Sequence, residues 1–170
     1  HLVRGKCTNL ARRGFRAIPT EGVGLGYRAH RKEDARMGFE LDVGHTSAAG
    51  AREANEDFSA LVRPGAGDET LGWIAAIADG VSMGGGGREA AQTTVMSLVG
   101  DYHSTPPTWD TSVALDRLIE AQNSWLVDHN QRRHGDGGTA LCTLTALVLR
   151  GQAYTVAHVG DTRAYLVRDG

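Results

Sequence analysis

The sequence predicts an α+β fold on three observations. Short apolar runs alternate with period two, as half-buried strands do. Two helical segments follow one another in the middle of the chain instead of alternating with the strands. Past them, two long apolar runs meet at Arg150-Gly151, a hairpin signal. Antiparallel strands with a helix pair inserted together call for layers of helix on sheet. The 170 residues suit one domain with an ordinary core.

Residues 1–36 differ from the rest, with nine Lys/Arg against three Asp/Glu and no sustained period. Met37 stands immediately before a strand pattern, so 1–36 is expected to be a basic extension outside the domain, translated from upstream. The domain is expected over 37–170. A basic anchor or transit peptide is the competing reading, and Glu21, Glu33 and Asp34 weigh against the transit peptide.

Phe39, Leu41 and Val43 alternate with Glu40 and Asp42, predicting a strand over 39–43. The loop Gly44–Gly50 and the polar run Arg52–Asp57 lead to a second strand, Phe58–Val62, closed by Pro64-Gly65. A buried strand near Leu71–Ala78 comes next and ends on Asp79-Gly80. Four glycines, Gly84–Gly87, then open a helix at Arg88-Glu89-Ala90-Ala91. A carboxylate at the end of a buried strand is held firmly at an opening, and Gly80 has no Cβ to keep a ligand away.

In the first helix Ala90, Ala91, Val95, Leu98 and Val99 share a face. In the second, Leu115, Leu118, Ile119, Gln122, Trp125 and Leu126 form a stripe, expected to pack in the core. Pro106-Pro107 separates them, and Thr108 or Asp110 is the expected N-cap of the second. After the turn Gly135–Gly138, strands are predicted at Thr139–Leu149, Gln152–Val159 and Ala164–Val167. Arg168-Asp-Gly170 calls for a further strand, so the chain is expected to be a fragment of a larger sheet.

Beyond residue 36 the chain holds nine Lys/Arg against seventeen Asp/Glu, an acidic balance unsuited to nucleic acid. Specific aspartates in such a background suit divalent cations. Cys7 and Cys142 show neither zinc spacing nor a disulfide framework, which favours a reducing cytoplasm. No apolar run reaches transmembrane length and no secretory pattern is present, so no membrane partner is expected.

Three aspartates share related settings. Asp57 leads into a strand, Asp79 ends one, and Asp161 lies in a Gly-Asp turn. Any one of them is ordinary turn chemistry. With their neighbours they form an ordered set: Arg52-x-x-Asn55-Glu56-Asp57, Ala78-Asp79-Gly80 with the Gly-rich turn, Gly138-Thr139-Ala140, and Gly160-Asp161-Thr162-Arg163. The set resembles successive motifs of the metal-dependent (type 2C) serine/threonine phosphatases, over about residues 39–169. The run Asp79–Ala91 is also similar to bacterial members fused to a kinase-like domain, although nothing kinase-like occurs in this sequence.

The resemblance implies an αββα four-layer sandwich and hydrolysis of phosphoserine or phosphothreonine in proteins by water activated between two Mn2+ or Mg2+ ions. It implies Asp57 as a metal ligand, Glu56 holding a metal-bound water, Asp79 bridging the metals and the Gly80 carbonyl binding one. Arg52 would clamp the substrate phosphate, its planar fork matching phosphate oxygens. Asp161 would help hold a weaker third metal, while Thr139 and Arg163 would be structural. Phosphoproteins, with a cognate Ser/Thr kinase, are the implied partners. The chemistry is coherent, because phosphate monoesters hydrolyse extremely slowly unless a nucleophile is made at neutral pH.

Two departures from the family pattern stand out. Val81 occupies the position after Asp-Gly where many members carry a histidine, and neither His45 nor His158 is assigned in its place. The family's remaining metal carboxylates would fall beyond Gly170, so this stretch by itself is expected to be inactive or weak. Two other readings fit the same residues: a pseudophosphatase that binds phosphoproteins, and a phosphohydrolase acting on small molecules.

Overall fold

Buried and open residues alternate along the central strands, and that alternation decides which face the helices cover. The computed structural model describes residues 41–83, 85–133 and 139–167, together with the backbone of 2–6; residues 82 and 83 are described by backbone alone. The strands are β1 (Leu2–Lys6), β2 (Phe58–Val62), β3 (Trp73–Ala78), β4 (Gly80–Met83), β5 (Thr139–Cys142), β6 (Leu144–Arg150) and β7 (Ala153–Val159). Two helices, α1 (Gly87–Tyr102) and α2 (Thr111–Arg132), lie together between β4 and β5, as the sequence predicts. The large sheet is antiparallel in the order β1-β7-β6-β3-β2, and β4 and β5 form a second, two-stranded sheet.

On β3, Ile74, Ala76 and Ala78 are buried, and on β6 so are Leu144, Ala146 and Val148. They pack with Ala91, Val95, Leu98, Val99 and Tyr102 of α1 and Ala114 and Leu115 of α2 in one core. On the other face Ile77 and Leu61 are exposed. The described residues thus make a helix layer on a sheet layer, an α+β arrangement. The four-layer sandwich stays a proposal for the complete domain.

Asp110, one of the two expected caps, accepts a hydrogen bond from the Ser112 amide at the start of α2. Leu115 and Leu126 are buried as expected, but Trp125 is exposed and stacks on His129 one turn away. The Arg150 guanidinium ties the end of β6 to the loop before α2, donating to the carbonyl oxygens of Thr70, Pro107 and Trp109.

Two predicted strands form no ladder among the described residues. Leu41–Val43 keep the alternation, with Asp42 open between two half-buried apolar residues, but they have no ladder; residues 39 and 40 lie outside the described residues. The edge beside β7 is occupied by β1, whose Val3 opposes Val156. The boundary expected at Met37 therefore follows a segment, Leu2–Lys6, that is already in the sheet. Ala164–Val167 also has no partner strand among the described residues, and Tyr165, Leu166 and Val167 are exposed. Alternation supplies an apolar face, but only a neighbouring strand supplies the ladder. The predicted run Thr139–Leu149 is interrupted at Thr143, which divides it into β5 and β6.

Candidate active site

The interruption at Thr143 is where the acidic residues gather. Ile77 opposes Thr145 in the large sheet and Gly80 opposes Cys142 in the small one, so the register runs on without a slip and leaves Asp79 opposite Thr143. A hydrogen-bonded antiparallel pair normally exchanges two backbone bonds. Here the Thr143 amide donates to the Asp79 carbonyl at 2.9 Å, but the Asp79 amide donates to the Thr143 hydroxyl, Oγ1, at 3.1 Å. A side chain has taken the place of a ladder carbonyl, and both strands break there. Asp79 sits half-buried at the break.

Asp57 arrives on a loop fastened at several points. Its amide donates to Asn55 Oδ1 at 3.0 Å, and Asn55 Nδ2 donates to Ser47 Oγ at 2.7 Å. Arg88, in the first turn of α1, donates from Nε to the Asn55 carbonyl at 2.9 Å. The Gly80 amide donates to the Glu56 carbonyl at 3.3 Å. Glu56 is half-buried, whereas Arg52 and Asp57 are exposed.

Asp161 follows Gly160, whose φ of 96° is left-handed. A Cβ at Gly160 would lie 2.6 Å from Thr143 Cγ2, so the Asp161 turn rests directly on Thr143. Thr145 holds the other side of the turn. Its hydroxyl lies 2.7 Å from Thr162 Oγ1 and 2.9 Å from His158 Nδ1.

Electrostatics join these pieces. The Asp79 carboxyl is raised above its ordinary range, first by burial and then by the neighbouring Asp57 carboxylate of like charge. Arg52 opposes the shift and Asp161 adds to it. Four of the residues singled out in the sequence, Arg52, Asp57, Asp79 and Asp161, therefore share one electrostatic neighbourhood. Among the described residues, no group of three or more His, Cys, Asp or Glu is placed to hold a metal ion.

Gly80 is buried, and the backbone that approaches it is that of Gly87: a Cβ on Gly80 would come within 2.3 Å of the Gly87 carbonyl carbon and oxygen. Its lack of a side chain seats the start of α1 beside the site. Val81 pairs with Leu141 in the small sheet. His45 Nε2 lies 2.6 Å from Ser59 Oγ, so both histidines weighed in the sequence make hydrogen bonds within the fold. Thr139 pairs with Met83, and Arg163 donates to the Tyr165 hydroxyl at 3.3 Å. Cys142 packs against the core beside Thr94, and burial pushes its thiol up. Cys7, Gly84 and the turn Gly135–Gly138 lie outside the described residues.

Sequence reasoning missed Thr143 and Arg88. Thr143 interrupts the apolar run Leu141-Cys142-Thr143-Leu144 with a hydroxyl, which was a readable signal. Arg88 gave none, because a charged residue in the first turn of a helix is ordinary.

The described residues form an antiparallel α+β domain with Asp79 at a strand break and Asp57, Arg52 and Asp161 near enough to act on its charge. The protein phosphatase 2C family model matches residues 46–170, and the chain belongs to that family. It is 29% identical over 155 residues to probable protein phosphatase 2C 59 of Oryza sativa subsp. japonica, covering 91% of this chain and 42% of that protein. It is 31% identical over 97 residues to the serine/threonine protein phosphatase PstP of Mycobacterium tuberculosis, covering 57% of this chain and 18% of that protein. To probable protein phosphatase 2C 69 of Arabidopsis thaliana it is 30% identical over 132 residues, 77% of this chain and 35% of that protein. The chain thus spans less than half the length of each of these relatives. No solved structure gives a significant match. No helix among the described residues is long and apolar enough to cross a membrane.

Proposed function

We propose that this chain is the N-terminal part of a metal-dependent protein phosphatase that hydrolyses phosphoserine and phosphothreonine in proteins. The observation that carries the reading is the carboxylate pair Asp57–Asp79 with Arg52 beside it. The like charge of Asp57 helps raise the Asp79 carboxyl, and a divalent cation bound beside both would relieve that repulsion. Hard oxygens so placed fit Mn2+ or Mg2+.

Asp57 and Asp79 would hold the cations, with the Gly80 carbonyl and Glu56 completing contacts on that side and Asp161 serving a further, weaker ion. When bound, such ions supply a water of lowered pKa and neutralise phosphate charge. Arg52 orients the phosphoryl group and stabilises its equatorial oxygens through a bidentate contact. The loop carrying Asp57 is held by Arg88 and Asn55, which keeps the acidic pair at a fixed spacing. The remaining carboxylates would come from sequence beyond Gly170, and the described stretch alone would be inactive or weak. Phosphoproteins phosphorylated by a cognate Ser/Thr kinase would be the substrates. A cytoplasmic site of action accords with the free thiol of Cys142.

A panel of phosphothreonine and phosphoserine peptides alongside small phosphoesters, assayed with manganese on the complete natural protein, tests the reading. Preferential hydrolysis of the peptides is expected. Hydrolysis confined to the small esters would overturn the protein-phosphatase assignment.

A further inference from the structure

We propose that Thr143 is a positioning residue that fixes Asp79 against the Asp161 turn and thereby sets how tightly the acidic site holds a divalent cation. The inference rests on the proposed function and assigns a new residue to it. Thr143 touches both halves of the site through different atoms. Its hydroxyl accepts from the Asp79 amide at 3.1 Å, and its amide donates to the Asp79 carbonyl at 2.9 Å. Its Cγ2 fills the space where a Gly160 side chain would stand.

The physical consequence follows from the exchange of partners. Asp79 N–H is satisfied by a hydroxyl on a short side chain instead of a ladder carbonyl, so the backbone leaves the pleat at this residue. The continuous register on either side prevents the break from sliding. A regular pair would send the Asp79 carboxylate out at the pitch of the sheet. At the break its carboxylate lies within the influence of Asp57 and Asp161. The methyl group limits how closely the Asp161 turn can approach. The hydroxyl is the main determinant of how Asp79 sits relative to Asp161, 82 positions on, and the methyl adds a smaller limit. A site geometry held by a neighbouring hydrogen bond is sensitive to that bond, as ligand sets held by outer partners are.

The test uses the complete natural protein and follows Mn2+ binding by electron paramagnetic resonance, well below the melting temperature of each variant. Thr143→Val and Thr143→Ala both remove the hydroxyl, and the alanine cannot crowd Gly160. Each is expected to weaken Mn2+ binding by about tenfold, roughly the loss of one neutral hydrogen bond. Thr143→Ser restores the hydroxyl and is expected to bind within about threefold of the unaltered protein. Turnover of a phosphothreonine peptide should fall at low manganese and recover when manganese is saturating, with KM for the peptide unchanged. A merely structural threonine would lower the melting temperature and leave the affinity of the folded protein alone. Equal Mn2+ affinity in the folded valine or alanine variant and the unaltered protein overturns the inference and leaves the proposed function standing. An equal loss in Thr143→Ser overturns the role of the hydroxyl. Failure of the unaltered protein to bind Mn2+ overturns the proposed function and this inference with it.

Discussion

Asp79 and Thr143 face each other across two antiparallel strands, and one of their two hydrogen bonds runs to the threonine side chain instead of its carbonyl. The large sheet ends there and the small one begins. The same two residues mark where a carboxylate from β3 meets a turn after β7. The break in the fold and the candidate site are therefore one feature.

The seat of α1 depends on two glycines. A Cβ at Gly80 would lie 2.3 Å from Gly87 backbone atoms, and nothing flexible stands between them. Gly80→Ala is expected to destabilise the protein by about 2 kcal/mol or more, since backbone must shift to admit it. Urea unfolding monitored by circular dichroism measures this. Gly100→Ala, at a helix position with open space beside it, is expected to be neutral or slightly stabilising.

Arg150 donates to three carbonyl oxygens that have left the regular ladders. Arg150→Met keeps most of the apolar stem and removes the donors. It is expected to cost about 1–2 kcal/mol, because the part-buried Trp109 carbonyl loses a charged partner while those of Thr70 and Pro107 stay open to water. The same denaturation experiment reads the loss.

Arg88 acts closer to the chemistry. Its bond to the Asn55 carbonyl holds the loop of Arg52 and Asp57 onto α1. Arg88→Gln is expected to lower kcat/KM for a phosphopeptide by about tenfold, on the order of one such hydrogen bond. Its melting temperature should move by no more than about 2 °C, because the residue is exposed.

Tyr102 is buried, donates its hydroxyl to the Leu71 carbonyl at 2.9 Å, and has its pKa raised by burial. In the unfolded chain the phenol ionises at about 10. The folded state keeps the proton more tightly, so this contribution is full below pH 10 and is lost as pH rises toward the folded value. Thermal melts between pH 8 and 11 should show a steeper alkaline loss in the unaltered protein than in Tyr102→Phe.

The helices, the central strands and the hairpin were legible because their apolar periods match the elements they form. Ile74, Ala76 and Ala78 bury one face of β3 as their alternation requires, and Leu98 and Val99 do the same for α1. Leu41–Val43 carry the same alternation and Ala164–Val167 is an apolar run, yet neither is a strand among the described residues. A period describes one chain segment, whereas a ladder needs a neighbour that the period does not specify. Arg52, Asp57, Asp79 and Asp161 were legible as a set of motifs, and three of these residues bear on the charge of Asp79, itself the fourth. Thr143 was legible only as a hydroxyl interrupting an apolar run; its part depends on which residue stands opposite it, 64 positions away.

The measurement that bears most directly on the central claim is manganese-dependent release of phosphate from a phosphothreonine peptide by the complete natural protein, with Asp79→Asn beside it. The amide keeps the shape of Asp79 and removes its charge. Activity that requires manganese and falls by at least about a thousandfold in the variant, with folding intact, is the predicted result. A folded, manganese-loaded protein that releases no phosphate, or an Asp79→Asn variant as active as the unaltered protein, would contradict the account.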